Sequence, residues 1–175
     1  MSKKKRNRLL LDVLFLVLLV AMDQLTKYFA IVKLKNQPAV PIIPNVFELN
    51  YLENRGAAFG LLQNQKFFFL FSGVIILFVI LFVLFKIPDK KKYRMLNLFL
   101  VMIIGGGIGN MIDRIRFDYV VDFLSFVLIN FPIFNVADMY VTISMIGLAV
   151  LILFVYKEED FGFLSFKQKK FREIK

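Results

Sequence analysis

Residues 67–85 form a run of nineteen residues with no charge, broken in polarity only by Ser72 and Gly73. At about 1.5 Å rise per residue a helix of that length covers roughly 28 Å, close to the ~30 Å hydrocarbon core of a bilayer. Such a stretch has no stable place on a soluble surface. The rest of the chain agrees: 59% of its 175 residues are hydrophobic and 22 are Phe, against roughly 45–50% apolar residues in a soluble domain. The sequence predicts a single membrane domain over residues 1–175, mainly α-helical.

Three further apolar segments are long enough to span, at about 9–32, 95–112 and 138–156. Four spans place both termini on one side. The net charge is +10, and sixteen of the 23 Lys and Arg lie in residues 3–8, 86–94 and 157–175, each beside an apolar run. A nucleic-acid surface reads instead as a basic face on a polar domain, so no nucleic-acid partner is expected. Basic flanks follow the positive-inside rule. They put the tails and loop 86–94 in the cytoplasm, leave 33–66 and 113–137 facing outward, and also suit anionic lipid. The basic start and apolar stretch could imitate a signal peptide. No small-residue cleavage site follows, and Asp23-Gln-Leu-Thr-Lys27 interrupts the run, so a retained helix is expected.

The outward segments carry their own signals. Pro38, Pro41 and Pro44 precede residues 46–53, which alternate apolar and polar over part of their length, a strand pattern. Gly56 and Gly60 suit a turn into another strand, giving a small antiparallel β-sheet on the outer face. The segment around Pro132 reads as a short interfacial helix or turn. Gly105 and Gly109 are spaced for close helix packing and lack the pattern of a phosphate loop.

There is no His and no Cys. That excludes a Ser-His-Asp triad, a thiol nucleophile and the usual zinc ligand sets. Proton chemistry falls to Asp, Glu, Lys, Tyr or water. Asp12, near the basic tail, and Asp118, in a polar turn, read as solvated or paired. Asp23, Asp113, Asp122 and Asp138 recur at one depth. Asp23 and Lys27 are spaced i,i+4 and can pair; Asp138 opens a helix and suits a cap. Two carboxylates in a dry site cannot both ionise cheaply, so one keeps a proton, which permits acid-base chemistry without His. Asn54, Asn110 and Asn135 lie in the same layer, and amides can hold carboxylates or a peptide backbone.

In order along the chain, Asp23-Gln-Leu-Thr-Lys27, Asn54-Arg-Gly-Ala-Ala-Phe-Gly60, Gly109-Asn-Met-Ile-Asp-Arg114, Val120-Val-Asp-Phe123 and Phe134-Asn-Val-Ala-Asp138 resemble the lipoprotein signal peptidases. The resemblance implies an aspartic endopeptidase of the bacterial plasma membrane, needing no cofactor and no metal. Its implied partners are membrane lipid and a diacylglyceryl-modified prolipoprotein, cut before the lipid-bearing Cys, and the enzyme is expected to be a monomer. The family's catalytic pair corresponds to Asp122 and Asp138. Its supporting residues correspond to Asp23, Asn54, Asn110, Arg114 and Asn135, with Lys27 and Gly56 joining them from the same motifs. The pair would sit near the outer surface.

Two other classes compete. A transporter would need a polar route through to the cytoplasmic side, and the cytoplasmic halves of the spans read as apolar. A Ser-Lys peptidase could use Ser125 and Lys27, but Ser125 stands among Phe residues without a nucleophile motif. Reporter fusions test the topology. Fusions at residue 90 and at the C-terminus should read cytoplasmic, and those near residues 45 and 128 external. An external signal at residue 90 would contradict the four-span arrangement.

Overall fold

The computed structural model describes residues 2–56 and 61–165. Among the described residues, four helices are long and apolar enough to cross a membrane. They are α1 (Lys3–Leu34), α2 (Lys66–Lys86), α3 (Arg94–Phe117) and α4 (Val136–Val150), the last extended by a π-helical turn over Leu151–Val155. A three-stranded antiparallel sheet joins them, in the order β1 (Val40–Ile43), β2 (Phe47–Asn54), β3 (Val120–Phe126). The sheet sits where α1 and α3 end and α2 and α4 begin. The basic residues of 3–8 and 86–94, with Lys157, lie at the opposite end of the bundle.

The helices reach beyond the expected spans because both ends find polar partners. Arg8 donates to the Leu84 and Ile87 carbonyls, and Lys5 donates to that of Phe85. These cations satisfy the end of α2 where its dipole is negative. α3 closes on Asp118 in the left-handed region (φ 66°), a conformation Asp tolerates better than most residues. Asp113 and Arg114 therefore lie inside α3 and do not mark its end. Asp23 and Lys27 likewise lie more than a turn inside α1. Asp118 is exposed and paired with Lys66. Asp12 is not freely solvated: it is half-buried, 3.9 Å from Arg8, and accepts a hydrogen bond from Asn97.

The sheet departs from expectation in its third member. Residues 61–64 form turns leading to Lys66, so no strand begins after residue 60; the expected turn at 57–60 lies outside the described residues. The partner of β2 comes instead from Val120–Phe126, in the segment read as an interfacial helix or turn. Only a short 3-10 turn, Val127–Ile129, matches that reading. β3 is buried on both faces, so it shows no clean apolar-polar alternation. Val121 and Phe123 pack with Ala30 and Leu34 of α1, while Val120, Asp122 and Phe126 face the other way, into a cavity. The period of two along a strand enforces this division. β1 is the edge strand, and it tolerates Pro41 there.

α3 is the hub against which α1, α2 and α4 pack. Lipid gives apolar helices little reason to associate, so small residues that admit close approach carry the packing. A Cβ on Gly106 would lie 2.5 Å from the Ala137 carbonyl oxygen and 2.8 Å from Val141. One on Gly109 would strike the Asp23 carboxylate. These glycines bring α3 against the first turn of α4 and against Asp23. A Gly106→Val change should cost about 1–3 kcal/mol or more by overpacking, read as a lower midpoint in thermal unfolding in detergent. Gly162→Ala, where an added Cβ meets nothing within 4 Å, should leave the midpoint nearly unchanged.

Candidate active site

Lys27 is 2% exposed and its ammonium sits among three acceptors. Its Nζ lies 2.9 Å from Asp23 Oδ2, 3.0 Å from Asp113 Oδ2 and 2.8 Å from Asn110 Oδ1. The i,i+4 pairing within α1 is thus extended to α3. The two carboxylates, 0% and 1% exposed, have further donors. Asp23 accepts from the Ala137 amide at the start of α4, and Asp113 from the Val121 amide in β3. Gln24 Nε2 donates to Asp113 at 2.9 Å and also reaches Asp23 and the Gly109 carbonyl. One buried cation therefore ties α1, α3, α4 and β3 together.

The other two acids face the cavity. Asp122 Oδ1 accepts from Asn135 Nδ2 at 2.7 Å and Oδ2 from Asn54 Nδ2 at 2.8 Å. Asp138 Oδ1 accepts from Asn110 Nδ2 at 2.8 Å. Asn135 and Asp138 also close a capping box: Asn135 Oδ1 accepts from the Asp138 amide and Asp138 Oδ2 from the Asn135 amide. The cap expected of Asp138 is present, and it is the cap that fixes the carboxylate beside Asp122. Asn110 links the two acid groups: its oxygen accepts from Lys27 and Asn135, which leaves its amide nitrogen to donate to Asp138. Burial, and then the negative charge of Asp138, push the Asp122 carboxyl up to about 7, against the opposing pull of the Asn54 and Asn135 donors.

Arg114 Nη2 donates to the Gly56 carbonyl at 3.2 Å, and its guanidinium lies 4.5 Å from the centre of the Phe69 ring. The Gly56 amide donates to Asn54 Oδ1 at 3.0 Å. Asp23, Lys27, Asn54, Gly56, Asn110, Arg114, Asp122, Asn135 and Asp138, all singled out in the sequence, are joined in one hydrogen-bonded network. They divide by position. Asn54, Gly56, Asn110, Arg114, Asp122 and Asp138 line the cavity, whereas Asp23, Lys27 and Asn135 lie behind its wall. Sequence reading left Asp113 and Gln24 out of the site, although both stand inside motifs it quoted. It also missed the apolar walls.

The cavity measures about 720 Å³ and lies between α2 and α4 on one flank of α3. Phe69, Ile76 and Leu77 of α2 face Thr142 and Ile143 of α4 across it, with the polar cluster at the sheet end. Ser125 does not line it and lies on the opposite face of β3 from Asp122. With the Lys27 ammonium held by two carboxylates, Ser-Lys chemistry has neither a placed nucleophile nor a free base. What the cavity offers is a carboxyl pair able to share one proton beside a long apolar surface.

Removing one partner of a buried charge group leaves the others uncompensated, at a cost of about 3–5 kcal/mol. Lys27→Met should therefore sharply lower the thermal unfolding midpoint. Adding Asp23→Asn and Asp113→Asn to Lys27→Met should recover a large part of the loss.

Comparison with known proteins identifies the family. A family model described as signal peptidase (SPase) II matches residues 15–154. The lipoprotein signal peptidase of Streptococcus thermophilus (strain CNRZ 1066) is 44% identical over 142 residues, 81% of this chain and 90% of that one. The lipoprotein signal peptidase of Streptococcus pyogenes serotype M5 (strain Manfredo) is 42% identical over 152 residues, 87% and 97% of the two chains. A solved bacterial membrane enzyme, determined by the in meso method at 2.3 Å resolution, superposes with a TM-score of 0.71 at 28% identity, covering 91% of this chain and 94% of its own. The matched region holds the second half of α1, all of α2, α3 and α4, the sheet and every member of the hydrogen-bonded network, and on that extent of agreement the chain belongs to the signal peptidase II family.

Proposed function

We propose that this membrane aspartic endopeptidase removes the signal peptide from diacylglyceryl-modified prolipoproteins by cutting before the lipid-bearing Cys, with Asp122 and Asp138 as its catalytic pair. The observation that carries this reading is the placement of two mutually repelling carboxyls, each held by Asn donors, at the polar end of an apolar cavity. The apolar walls suit a substrate that arrives within the membrane carrying acyl chains and a signal helix. The polar end suits its scissile peptide.

The two acids take different parts. Asp122, whose carboxyl is pushed up to about 7, is assigned the part of the acid, and Asp138 the part of the base. Asp138 removes a proton from water as the water oxygen attacks the scissile carbonyl carbon. Asp122 gives its proton to the carbonyl oxygen, which becomes a hydroxyl on the tetrahedral carbon. On collapse, Asp138 passes its proton to the leaving amine, and Asp122 recovers one from the hydroxyl as the C–N bond breaks. Both acids return to their starting states. Asn54, Asn110 and Asn135 hold the pair, and Lys27 and Asp23 fix Asn110 and the start of α4 from behind. Arg114 lines the same cavity as both acids, and its bond to the Gly56 carbonyl anchors the segment entering from β2.

The site is assigned to the outer surface and both termini to the cytoplasm, on the strength of the basic clusters in the sequence and of residues 3–8 and 86–94 lying at the other end of the bundle. A monomer acting in contact with membrane lipid is part of the same proposal.

Cleavage of a lipid-modified prolipoprotein by purified protein tests the pair. Asp122→Asn and Asp138→Asn should each lower the rate by about a hundredfold or more, whereas Asp12→Asn should keep near-normal activity. Normal activity of Asp122→Asn would contradict the assignment. Rate against pH should be bell-shaped, as for any coupled pair that works singly protonated, with the alkaline limb near 7 as Asp122 loses its proton. A stability effect follows from the same shift. Asp122 binds its proton more tightly folded than unfolded, so its contribution declines as pH rises from about 4 through about 7. Asp122→Asn should therefore raise the unfolding midpoint more at pH 8 than at pH 5.

A further inference from the structure

A second cavity, of about 350 Å³, lies at the end of the bundle opposite the carboxylates. It forms where the first turns of α1 meet the α2–α3 connection and the start of α3. At ~30 Å³ per water molecule it is much larger than one or two ordered waters need. Arg8, Lys90, Lys91 and Arg94 line it, together with Asp89 and Asn97.

Two independent features of the wall point to a ligand. Lys90, Lys91 and Arg94 have no carboxylate partner within salt-bridge distance among the described residues, so the wall is left strongly positive. Buried acceptors also stand among these cations without donors. Asn97 is 8% exposed and gives its Nδ2 to Asp12 at 2.6 Å, but its Oδ1 has no hydrogen-bond partner among the described residues. Asp89 Oδ2 is in the same condition, as is the Arg8 Nε donor. Buried polar atoms are rarely left this way, because each forfeits the hydrogen bonds it made in water. A simple anion would satisfy the cations and leave the acceptors unpaired. The wall fits a group that carries an anion and hydroxyl donors together.

We propose that this cavity binds the headgroup of an anionic glycerophospholipid, the phosphodiester facing Arg8, Lys90, Lys91 and Arg94 and headgroup hydroxyls donating to Asn97 and Asp89. Leu11 lines the cavity and is exposed, and Leu14 and Leu18 continue the exposed apolar stripe along α1. An acyl chain can follow that stripe while the headgroup stays in the cavity, which favours a lipid over a free phosphate ion. Basic pockets between membrane helices near an anionic leaflet are suited to such headgroups. The site is separate from the Asp122/Asp138 pair and stands whether or not that pair is catalytic.

The test uses the full-length protein in detergent, titrated with phosphatidylglycerol, phosphatidic acid, phosphatidylcholine, inorganic phosphate or glycerol phosphate. Binding is read by native mass spectrometry and by the shift in thermal unfolding midpoint. Phosphatidylglycerol should bind and raise the midpoint, phosphatidic acid should bind more weakly for want of hydroxyls, and the other three should do neither. Lys90→Gln/Lys91→Gln/Arg94→Gln should bind phosphatidylglycerol at least about tenfold more weakly than Lys3→Gln/Arg6→Gln/Lys157→Gln, which removes equal charge outside the cavity. Equal losses in the two variants would reduce the effect to general attraction and overturn the site. Phosphatidic acid binding as tightly as phosphatidylglycerol would overturn the role of Asn97 and Asp89, and an equal shift from inorganic phosphate would overturn the lipid.

Discussion

A single buried ammonium organises the functional end of this protein. Lys27 holds Asp23 of its own helix and Asp113 of α3 at about 3 Å each; Asp23 accepts the Ala137 amide on its other oxygen and Asp113 the Val121 amide on the oxygen facing Lys27, so the start of α4 and β3 are tied to the same point. In a bilayer these interactions act where water is scarce and unpaired charge is expensive. The helices can approach closely enough because α3 presents Gly106 and Gly109 to them. Packing and electrostatics are therefore one problem here: a side chain at Gly109 would push away the carboxylate that Lys27 needs.

The same cation separates the four acids of this layer into two kinds. Asp23 and Asp113 share Lys27 and serve the fold. Asp122 and Asp138 have only amide and backbone donors as direct partners, so their mutual repulsion is not cancelled at contact distance. That difference is what the proposed division of roles rests on, with one pair structural and the other catalytic. Asn110 is the joint between them. With Lys27 and Asn135 donating to its oxygen, its nitrogen is left to face Asp138, so the buried charge sets the orientation of a group in contact with the cavity-facing acid.

Much of this was legible from residues alone, and the failures have identifiable causes. Four spans can be read because a bilayer requires long uncharged helices, and 67–85 has no other reading. The Asp23–Lys27 contact can be read because a helix brings i and i+4 together. Asp113 as a third member could not, since its approach depends on how α3 lies against α1. β3 was hidden for the opposite reason to most missed strands: with both faces buried, Val120–Phe126 lacks alternation, and an Asp within it looks like a break. Asp12 reads as solvated or paired from its distance to the basic tail; it lies by Arg8 of that tail, and only the packing of α3 reveals Asn97 beside it. The apolar cavity was invisible because residues such as Phe69 and Ile143 are indistinguishable in sequence from those facing lipid.

The central claim is that Lys27 neutralises its neighbours while the cavity pair keeps a proton on Asp122. Infrared difference spectroscopy of the carboxyl C=O stretch, recorded on purified protein as pH is stepped from acid to alkaline, tests it directly. The account predicts a protonated-carboxyl band that persists into neutral pH and disappears through about 7. That band should be absent from Asp122→Asn and retained in Asp113→Asn. A band that survives in Asp122→Asn, or wild-type protein with no protonated carboxyl at pH 6, would contradict it.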